Sequence, residues 1–314
     1  MWLITIGTRA GHFRRHRGYG AQMSLMSILD RVADAAALDK LTDPARRAVQ
    51  TALPQGLKNF LHGTWLGHPL HPVLVHVPIG AWLSAAVLDL VPPMRPAATL
   101  LIGTGVAAAV PTSVTGTVDW AAQPAGVRRL GALHASANVV ALGLYVGSLV
   151  ARGRGRDGLG LVLSYTGLGV ASASASVGGH MSYAQSAAVS HAAQAARALT
   201  TDWIDLGPMD DLPDGRPALR TGPAGGVDGA VAVVRRGVRV DVFVGSCSHL
   251  ACALYAGTVE EVRGTGCLVC PSCGSAFDLE TGDPRRGPAA SAQDKLEVRM
   301  EAGRVLARLP ARHR

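Results

Sequence analysis

Four long apolar stretches set the strongest limit on how this chain of 314 residues can fold. They lie at residues 72–91, 96–117, 130–151 and 159–179, and each contains very few charged residues. A helix of about twenty apolar residues is long enough to cross the hydrocarbon core of a lipid bilayer. A buried soluble bundle is the alternative, but soluble helices have a polar face that these stretches lack. We therefore predict an all-α, four-helix transmembrane bundle in residues 67–185.

The remaining segments differ from the bundle in pattern. Residues 1–26 contain no apolar run typical of a secretory signal, so we expect them to be disordered or to precede the true start. Residues 27–66 have the pattern of amphipathic helices interrupted at Pro44, and we expect them to lie on the membrane surface. Short alternating segments separated by Gly and Pro predict a small all-β domain at residues 202–310, preceded by a linker at 186–201.

The charge of the chain bears on its partners and its orientation. The net charge is +8, and almost all of it comes from arginine. No basic stretch with interleaved aromatic residues is present in the sequence, so we expect no nucleic-acid partner. An even number of spans places the segments before and after the bundle on one side of the membrane. Basic residues beside the spans are slightly more numerous on that side, which favours the cytoplasm for the C-terminal domain.

All five cysteines lie in one short stretch near the C-terminal end: Cys247, Cys252, Cys267, Cys270 and Cys273. Such a cluster, with two C-x-x-C spacings, is typical of a metal site rather than of scattered disulfides. Cys267 alternates with Val269 in a predicted strand, so we interpret it as a buried thiol outside the metal site.

Three segments resemble the loops that surround the cluster in Rieske [2Fe–2S] domains: CSHLAC (247–252), GCLVCPSCGSAFD (266–278) and TGDPRRGPA (281–289). The resemblance implies a Rieske-like iron–sulfur domain in which Cys247 and Cys270 bind one iron and His249 binds the other. Cys273 stands where the family has its second histidine. The resemblance also implies an electron carrier that works with a ferredoxin or a reductase.

The cysteine at position 273 should change the redox properties of such a cluster. Two imidazoles on one iron give potentials of about −150 to +300 mV, against about −400 mV for all-cysteine plant-type clusters. A thiolate adds negative charge and stabilises ferric iron, so we expect a potential between these ranges. In Rieske proteins of cytochrome bc complexes a disulfide joins the two loops. Cys252 matches its first position, but Ser272 occupies the second, so we expect no such disulfide.

Other interpretations of this site remain open. Cys247, His249, Cys270 and Cys273 would also satisfy a tetrahedral zinc ion, and a metal-free binding module tethered to the membrane is a further alternative. A Rieske oxygenase is not expected, because few residues follow the second loop and no catalytic iron domain is visible. We therefore favour an electron-transfer protein over an enzyme.

The start of the first span contains a motif of its own. HPLHP at residues 68–72 resembles an uncharacterised family of four-helix bacterial membrane proteins, which implies a multi-pass protein of the bacterial cell membrane. His62, His68 and His71 are expected to be interfacial and to have no ligand role. Trp65, Trp82 and Trp120 are expected to act mainly as anchors at the membrane interface.

Several ionisable residues lie near span ends on the face where the β domain emerges: His76, Asp119, His134 and His180. At 1.5 Å per residue they would share a layer about 8 Å deep. Ionisable groups inside a bilayer are costly and usually line a functional site. His76 and His134 would be a pair that holds haem b, and His134 or His180 would instead bind a quinone. The third alternative is a polar layer without any cofactor.

Overall fold

The computed structural model describes residues 25–199, 201–222 and 229–310. The helices are α1 (Leu25–Asp34), α2 (Asp39–Ala52), α3 (Gln55–His62), α4 (His71–Leu74), α5 (His76–Asp89), α6 (Arg95–Ala121), α7 (Ala125–Gly153), α8 (Asp157–Tyr183) and α9 (Ala192–Ala198). The segment expected to be disordered, 1–26, lies outside the described residues except for its last two, which begin α1.

Four stretches of the described chain are helical, long and apolar enough to cross a membrane, as predicted: His71–Asp89, Pro92–Ala121, Ala125–Gly153 and Asp157–Tyr183. Between 17% and 28% of each apolar window is buried inside the protein. Large apolar side chains such as Leu100 and Val139 are exposed on the outer faces of the bundle. Lipid solvates such side chains, whereas a water-soluble bundle would have to cover them. The pattern is that of a membrane domain.

Two buried side-chain pairs occupy the interior of the bundle. The rings of Trp82 and Tyr145 stack with their centroids 4.2 Å apart. Arg152 donates from Nη1 and Nη2 to the two carboxylate oxygens of Asp89, at 2.8 Å and 2.5 Å. The interfacial position expected for Trp82 is therefore wrong: its ring is buried, because Gly105 on α6 has no side chain to block it.

The helices before the bundle pack across the end from which the β domain emerges. Arg128 and Arg129, in the first turns of α7, pair with Asp43 and Asp39 of α2, each with a shortest distance of 2.6 Å. The helical break is at residues 35–38, where a short 3-10 turn separates α1 from α2. The break expected at Pro44 is wrong, because α2 continues through it. The helix contacts the bundle through the two carboxylates before the proline, and through Arg46 and Gln50 after it, which both donate to Ala121 O.

The C-terminal domain consists of two antiparallel sheets. Its strands are β1 (Ile204–Pro208), β2 (Pro217–Thr221), β3 (Ala230–Arg236), β4 (Arg239–Val244), β5 (Thr258–Val262), β6 (Thr265–Val269), β7 (Ala276–Asp278), β8 (Pro284–Arg286), β9 (Lys295–Glu301) and β10 (Arg304–Arg308). Over the described residues the larger sheet has the order β1-β10-β9-β4-β3-β2 and the smaller β5-β6-β7-β8. This confirms the predicted all-β domain.

The β domain is joined to the helical part by specific contacts. Asn59 of α3 donates from Nδ2 to Arg285 O at 3.2 Å and accepts at Oδ1 from Gly287 N at 3.0 Å. The expected linker, 186–201, contains α9, and the buried face of this helix packs on the core of the larger sheet. The end of the bundle near α3 therefore lies against the loops of the β domain.

Candidate metal centre

Two loops of the β domain bring three thiols together. The first loop follows β4 and carries Cys247, and the second joins β6 to β7 and carries Cys270 and Cys273. The Sγ atoms of these three residues all lie within 4.8 Å of one another, and those of Cys247 and Cys273 are 3.8 Å apart. The C-x-x-C spacing of the second loop predicted that Cys270 and Cys273 lie close together. The fold of the domain brings Cys247 of the first loop next to them.

Backbone and side-chain hydrogen bonds fix the first loop. Cys247 N donates to Cys252 O at 2.8 Å, which closes the loop on itself. Gln293 is buried, donates from Nε2 to Val244 O and Ser246 O, and accepts at Oε1 from Ser248 N, each at 2.9 Å. One side chain thus satisfies three backbone groups in and beside the first loop, and these hydrogen bonds fix the conformation of the loop.

The second loop is a tight turn with a hydroxyl directed at its thiol. Cys270 N donates to Ser275 O at 2.9 Å, and Gly274 adopts φ +74°, which suits a residue without a side chain. Ser275 Oγ lies 3.2 Å from Cys273 Sγ and accepts the N–H of Ala289 at 2.9 Å. The Ser275 proton is therefore free to point at a Cys273 thiolate.

Interactions among the three thiols shift the pKa values of Cys247 and Cys273 in opposite directions. The S–H groups of Cys247 and Cys270 hold the pKa of Cys273 well below its usual range, since both donate to its sulfur. Hydrogen bonds with Cys270 and Cys273, together with burial, raise the pKa of Cys247. Metal ions bind the thiolate rather than the thiol. Cys273 is thus favoured as a thiolate over Cys247.

His249 has the surroundings expected of a metal ligand. Its Nδ1 is buried and has no hydrogen-bond partner among the described residues, which is costly unless another group satisfies it. The pKa of His249 is lowered to about 4, mainly by desolvation. Electrostatic interaction with His62 also lowers this pKa, whereas the interaction with Asp119 raises it. The ring is therefore neutral at pH 7, the form that binds metals. The residues of the two loops fit a [2Fe–2S] cluster in their donor chemistry.

The two other cysteines have different surroundings. Cys267 is fully buried in β6, and its Sγ donates to Thr265 O at 3.4 Å, which confirms it as a strand thiol. Cys252 is half-buried, and its Sγ donates to Leu250 O at 3.7 Å. Both are free thiols in the structure.

Comparison with known proteins identifies the families of both domains. Residues 67–191 match the family "Predicted membrane protein (DUF2231)", and residues 202–300 match the "Rieske [2Fe-2S] domain" family. The anthranilate 1,2-dioxygenase ferredoxin subunit of Burkholderia cepacia is 31% identical over 108 residues, which are 34% of this chain and 93% of that protein. The chain belongs to the Rieske [2Fe–2S] family. Its Rieske domain follows a DUF2231 membrane domain, and the family supports a [2Fe–2S] cluster and an electron-carrier role.

Solved structures with a similar fold include two ferredoxins. The ferredoxin of carbazole 1,9a-dioxygenase from Nocardioides aromaticivorans IC177 is 24% identical, with a TM-score of 0.31 over 34% of this chain and 98% of that one. The ferredoxin of Sphingomonas yanoikuyae B1 is also 24% identical, with a TM-score of 0.30 over 35% and 100%.

The histidines of the spans do not form a ligand pair. His134 Nδ1 lies 2.8 Å from Ser174 O, and its Nε2 accepts from Asn138 Nδ2 at 3.0 Å, so both ring nitrogens are engaged within the protein. His76 is on the exposed side of α5. His180 is buried, with Nε2 3.5 Å from Asp30 Oδ1. Neither this geometry nor the comparisons support haem b or a quinone at these residues.

Two of the histidines that were expected to be interfacial, His62 and His71, have hydrogen-bond partners inside the protein. His62 is buried and its Nδ1 lies 2.7 Å from Asp119 Oδ1. His71 Nδ1 lies 2.9 Å from Thr112 O of α6. Gly63, at φ +77°, turns the chain directly after His62, and no periodic pattern signals this turn. Asp119 was visible in the sequence as an ionisable residue at a span end, but its partner was not.

Proposed function

We propose that this protein is a membrane-anchored carrier of single electrons whose [2Fe–2S] cluster is bound by three thiolates and one imidazole. The ligands are Cys247, His249, Cys270 and Cys273. The observation that carries the proposal is the convergence of three thiols in the two ligand loops, together with the unpartnered Nδ1 of His249.

The ligands would be divided between the irons as the family resemblance implies. Cys247 and Cys270 would bind one iron, and His249 and Cys273 the other. A bound cluster supplies reversible one-electron exchange. The Cys273 thiolate adds a negative charge that favours the oxidised state, while the Ser275 hydroxyl 3.2 Å away offsets part of that charge. The result is a carrier of lower potential than a centre with two histidines.

The partners follow from the class of relative. The similar Burkholderia cepacia protein is a ferredoxin subunit of a dioxygenase. We infer that a donor of the reductase or ferredoxin class loses one electron to the centre, and that an acceptor of the oxygenase or ferredoxin class gains it. No atom transfer is needed, so the site requires no catalytic acid or base.

The Rieske domain is proposed to lie on the cytoplasmic side, where such soluble partners are available. The basic residues beside the spans support this side. Protease treatment of right-side-out vesicles should then leave the domain intact. Cleavage of the domain in intact vesicles would place it on the opposite side.

A redox titration of the full chain tests the function. The protein is purified in detergent without oxygen and titrated while its EPR signal is recorded. We expect one unpaired electron per chain on reduction, with a midpoint potential between about −400 and −150 mV. The Cys247→Ser, Cys270→Ser double variant is the control and should show no signal. A wild-type protein that accepts no electron would contradict the proposal.

A zinc-bound module is the second candidate, and one observation favours it. The sulfurs of a tetrahedral zinc site with Zn–S of about 2.3 Å are about 3.8 Å apart. The Cys247 and Cys273 sulfurs have this separation. His249 lies outside the group of ligand atoms within 4.8 Å of one another, whereas a four-ligand zinc site needs all four close together. A colourless protein with one zinc per chain would establish this alternative.

A further inference from the structure

The His249 side of the metal centre faces a histidine–carboxylate pair that joins α3 to the membrane domain. His62 Nδ1 lies 2.7 Å from Asp119 Oδ1, and both side chains are largely buried. His62, Asp119 and His249 line one small cavity between the two domains, with a volume of about 30 Å³. A cavity of this size has room for an ordered water with polar partners.

The two domains are held in this arrangement by contacts on both sides of the cavity. Asn59, on the helix that ends at His62, exchanges two hydrogen bonds with the backbone of Arg285 and Gly287. A Cβ at Gly287 would lie 3.1 Å from the His62 ring, so the close approach depends on glycine. On the other side of the cavity, His191 N donates to Ser248 O at 2.9 Å, and Ser248 directly precedes His249.

The chemistry of the pair matches what a ligating imidazole needs. In the tautomer with its proton on Nδ1, His62 donates to Asp119, and its Nε2 can then accept a hydrogen bond. A histidine that binds a metal through one nitrogen keeps a proton on the other and almost always donates it to a carboxylate, carbonyl or water. Among the described residues of the Rieske domain His249 has no such partner, whereas His62 of α3 and Asp119 of the membrane domain offer acceptors in the cavity.

We propose that His62 and Asp119 are positioning residues of the redox centre: the pair accepts the outer N–H of His249, directly or through one water in the cavity. The DUF2231 domain is then part of the redox site and not only its anchor. This inference rests on the proposed function, because it treats His249 as a ligand. The pair would make the His249 imidazole a stronger electron donor, and the Asp119 carboxylate would add negative charge beside this ligand. Both effects would lower the midpoint potential of a bound cluster.

Potentiometric titration of the full-length protein tests this role. Asp119→Asn removes the charge at constant size, and we expect the ratio of oxidised to reduced protein at a given potential to fall about tenfold, a rise of about 59 mV for one electron. His62→Phe, which offers no acceptor, should also raise the midpoint potential. His62→Gln, which keeps an acceptor oxygen, should raise it less. Asp39→Asn is the matched control, since this carboxylate pairs with Arg129 away from the cavity. It should leave the potential unchanged.

The outcomes separate the two claims. If the wild type contains no cluster, the proposed function fails, and this inference fails with it. If all variants keep their iron and the wild-type potential, the role of the pair is overturned while the electron carrier stands. Iron is counted for each variant, and Asp119→Asn decides the result if His62→Phe does not fold. A shift of equal size in Asp39→Asn would show a general charge effect and would also overturn the inference.

Discussion

The Sγ atoms of Cys247 and Cys273 lie 3.8 Å apart, although the two residues belong to different loops of the Rieske domain. The close approach places the cysteine that replaces a family histidine directly within the group of thiols. A thiolate at this position binds iron and adds charge, whereas an imidazole would only bind it. The properties of the centre should therefore depend strongly on residue 273.

Replacing Cys273 by His should raise the midpoint potential into the Rieske range, above about −150 mV. The substitution exchanges a negatively charged ligand for a neutral one, which destabilises ferric iron. Potentiometry with EPR on the full chain measures the change. Cys267→Ser is the control, because this thiol is buried in β6 and outside the trio, and it should keep the wild-type potential. An unchanged potential in Cys273→His would show that Cys273 is not a ligand.

The Ser275→Ala variant should have a lower potential than the wild type. Its hydroxyl lies 3.2 Å from Cys273 Sγ, and hydrogen bonds to cluster sulfurs stabilise the more negative, reduced state. We expect a fall on the order of 59 mV, a tenfold change for one electron. Ser248→Ala, whose hydroxyl donates to Ser291 O, is the control and should shift the potential much less. A higher potential in Ser275→Ala would refute the assigned hydrogen bond.

The stability of the Rieske domain should fall in acid because of Asp278. Burial raises the pKa of this carboxyl, but hydrogen bonds from Arg285 and from the backbone of Glu280 and Thr281 outweigh it, so the net pKa is lowered from 3.8. A lowered folded-state pKa contributes stability that is present above the unfolded value and is lost as the pH falls through the folded one. Denaturant melts at pH 7 and at decreasing pH measure this loss.

In Asp278→Asn the free energy of unfolding at pH 7 should fall by about 1–3 kcal/mol, and its decline below pH 4 should be shallower. Asp205→Asn is the matched control: this carboxylate pairs with Arg304 on the exposed surface and should have little effect. Equal acid profiles in the wild type and Asp278→Asn would contradict the assignment.

The buried ion pair in the membrane domain gives a prediction about stability. Arg152→Met should destabilise the bundle by about 3–5 kcal/mol, because it leaves the Asp89 carboxylate buried without its partner. Replacing both residues, Arg152→Met with Asp89→Leu, should recover much of the loss. Thermal unfolding in detergent, followed by circular dichroism, compares the variants. A double variant that is no more stable than the single one would show that packing, not charge, dominates.

The elements with strong local patterns were predictable from the sequence. The four spans follow from apolar length, and the strands around the ligand loops follow from alternation and turn residues. Local C-x-x-C spacing indicated a metal site, and the resemblance to Rieske loops implied Cys247, Cys270 and Cys273 as ligands. The structure brings these three sulfurs together. The buried character of Cys267 was predicted from its alternation with Val269.

The inward faces of the helices could not be predicted in the same way. In a lipid environment the inner and outer faces of a span are equally apolar, so nothing in the pattern distinguished buried Trp82 from an interfacial anchor. The pairing of His62 with Asp119 depends on a turn at Gly63 and on the docking of two domains. Such long-range contacts have no periodic signal. The continuation of α2 through Pro44 could not be predicted for a related reason, because the ion pairs that join this helix to α7 are also long-range contacts.

Counting iron, acid-labile sulfide and zinc in the anaerobically purified full-length protein tests the central claim most directly. The account predicts about two irons and two sulfides per chain, a red-brown colour, and loss of all three in the Cys247→Ser, Cys270→Ser variant. A colourless protein that stays free of sulfide after reconstitution with iron and sulfide, and that contains one zinc or no metal, would contradict it.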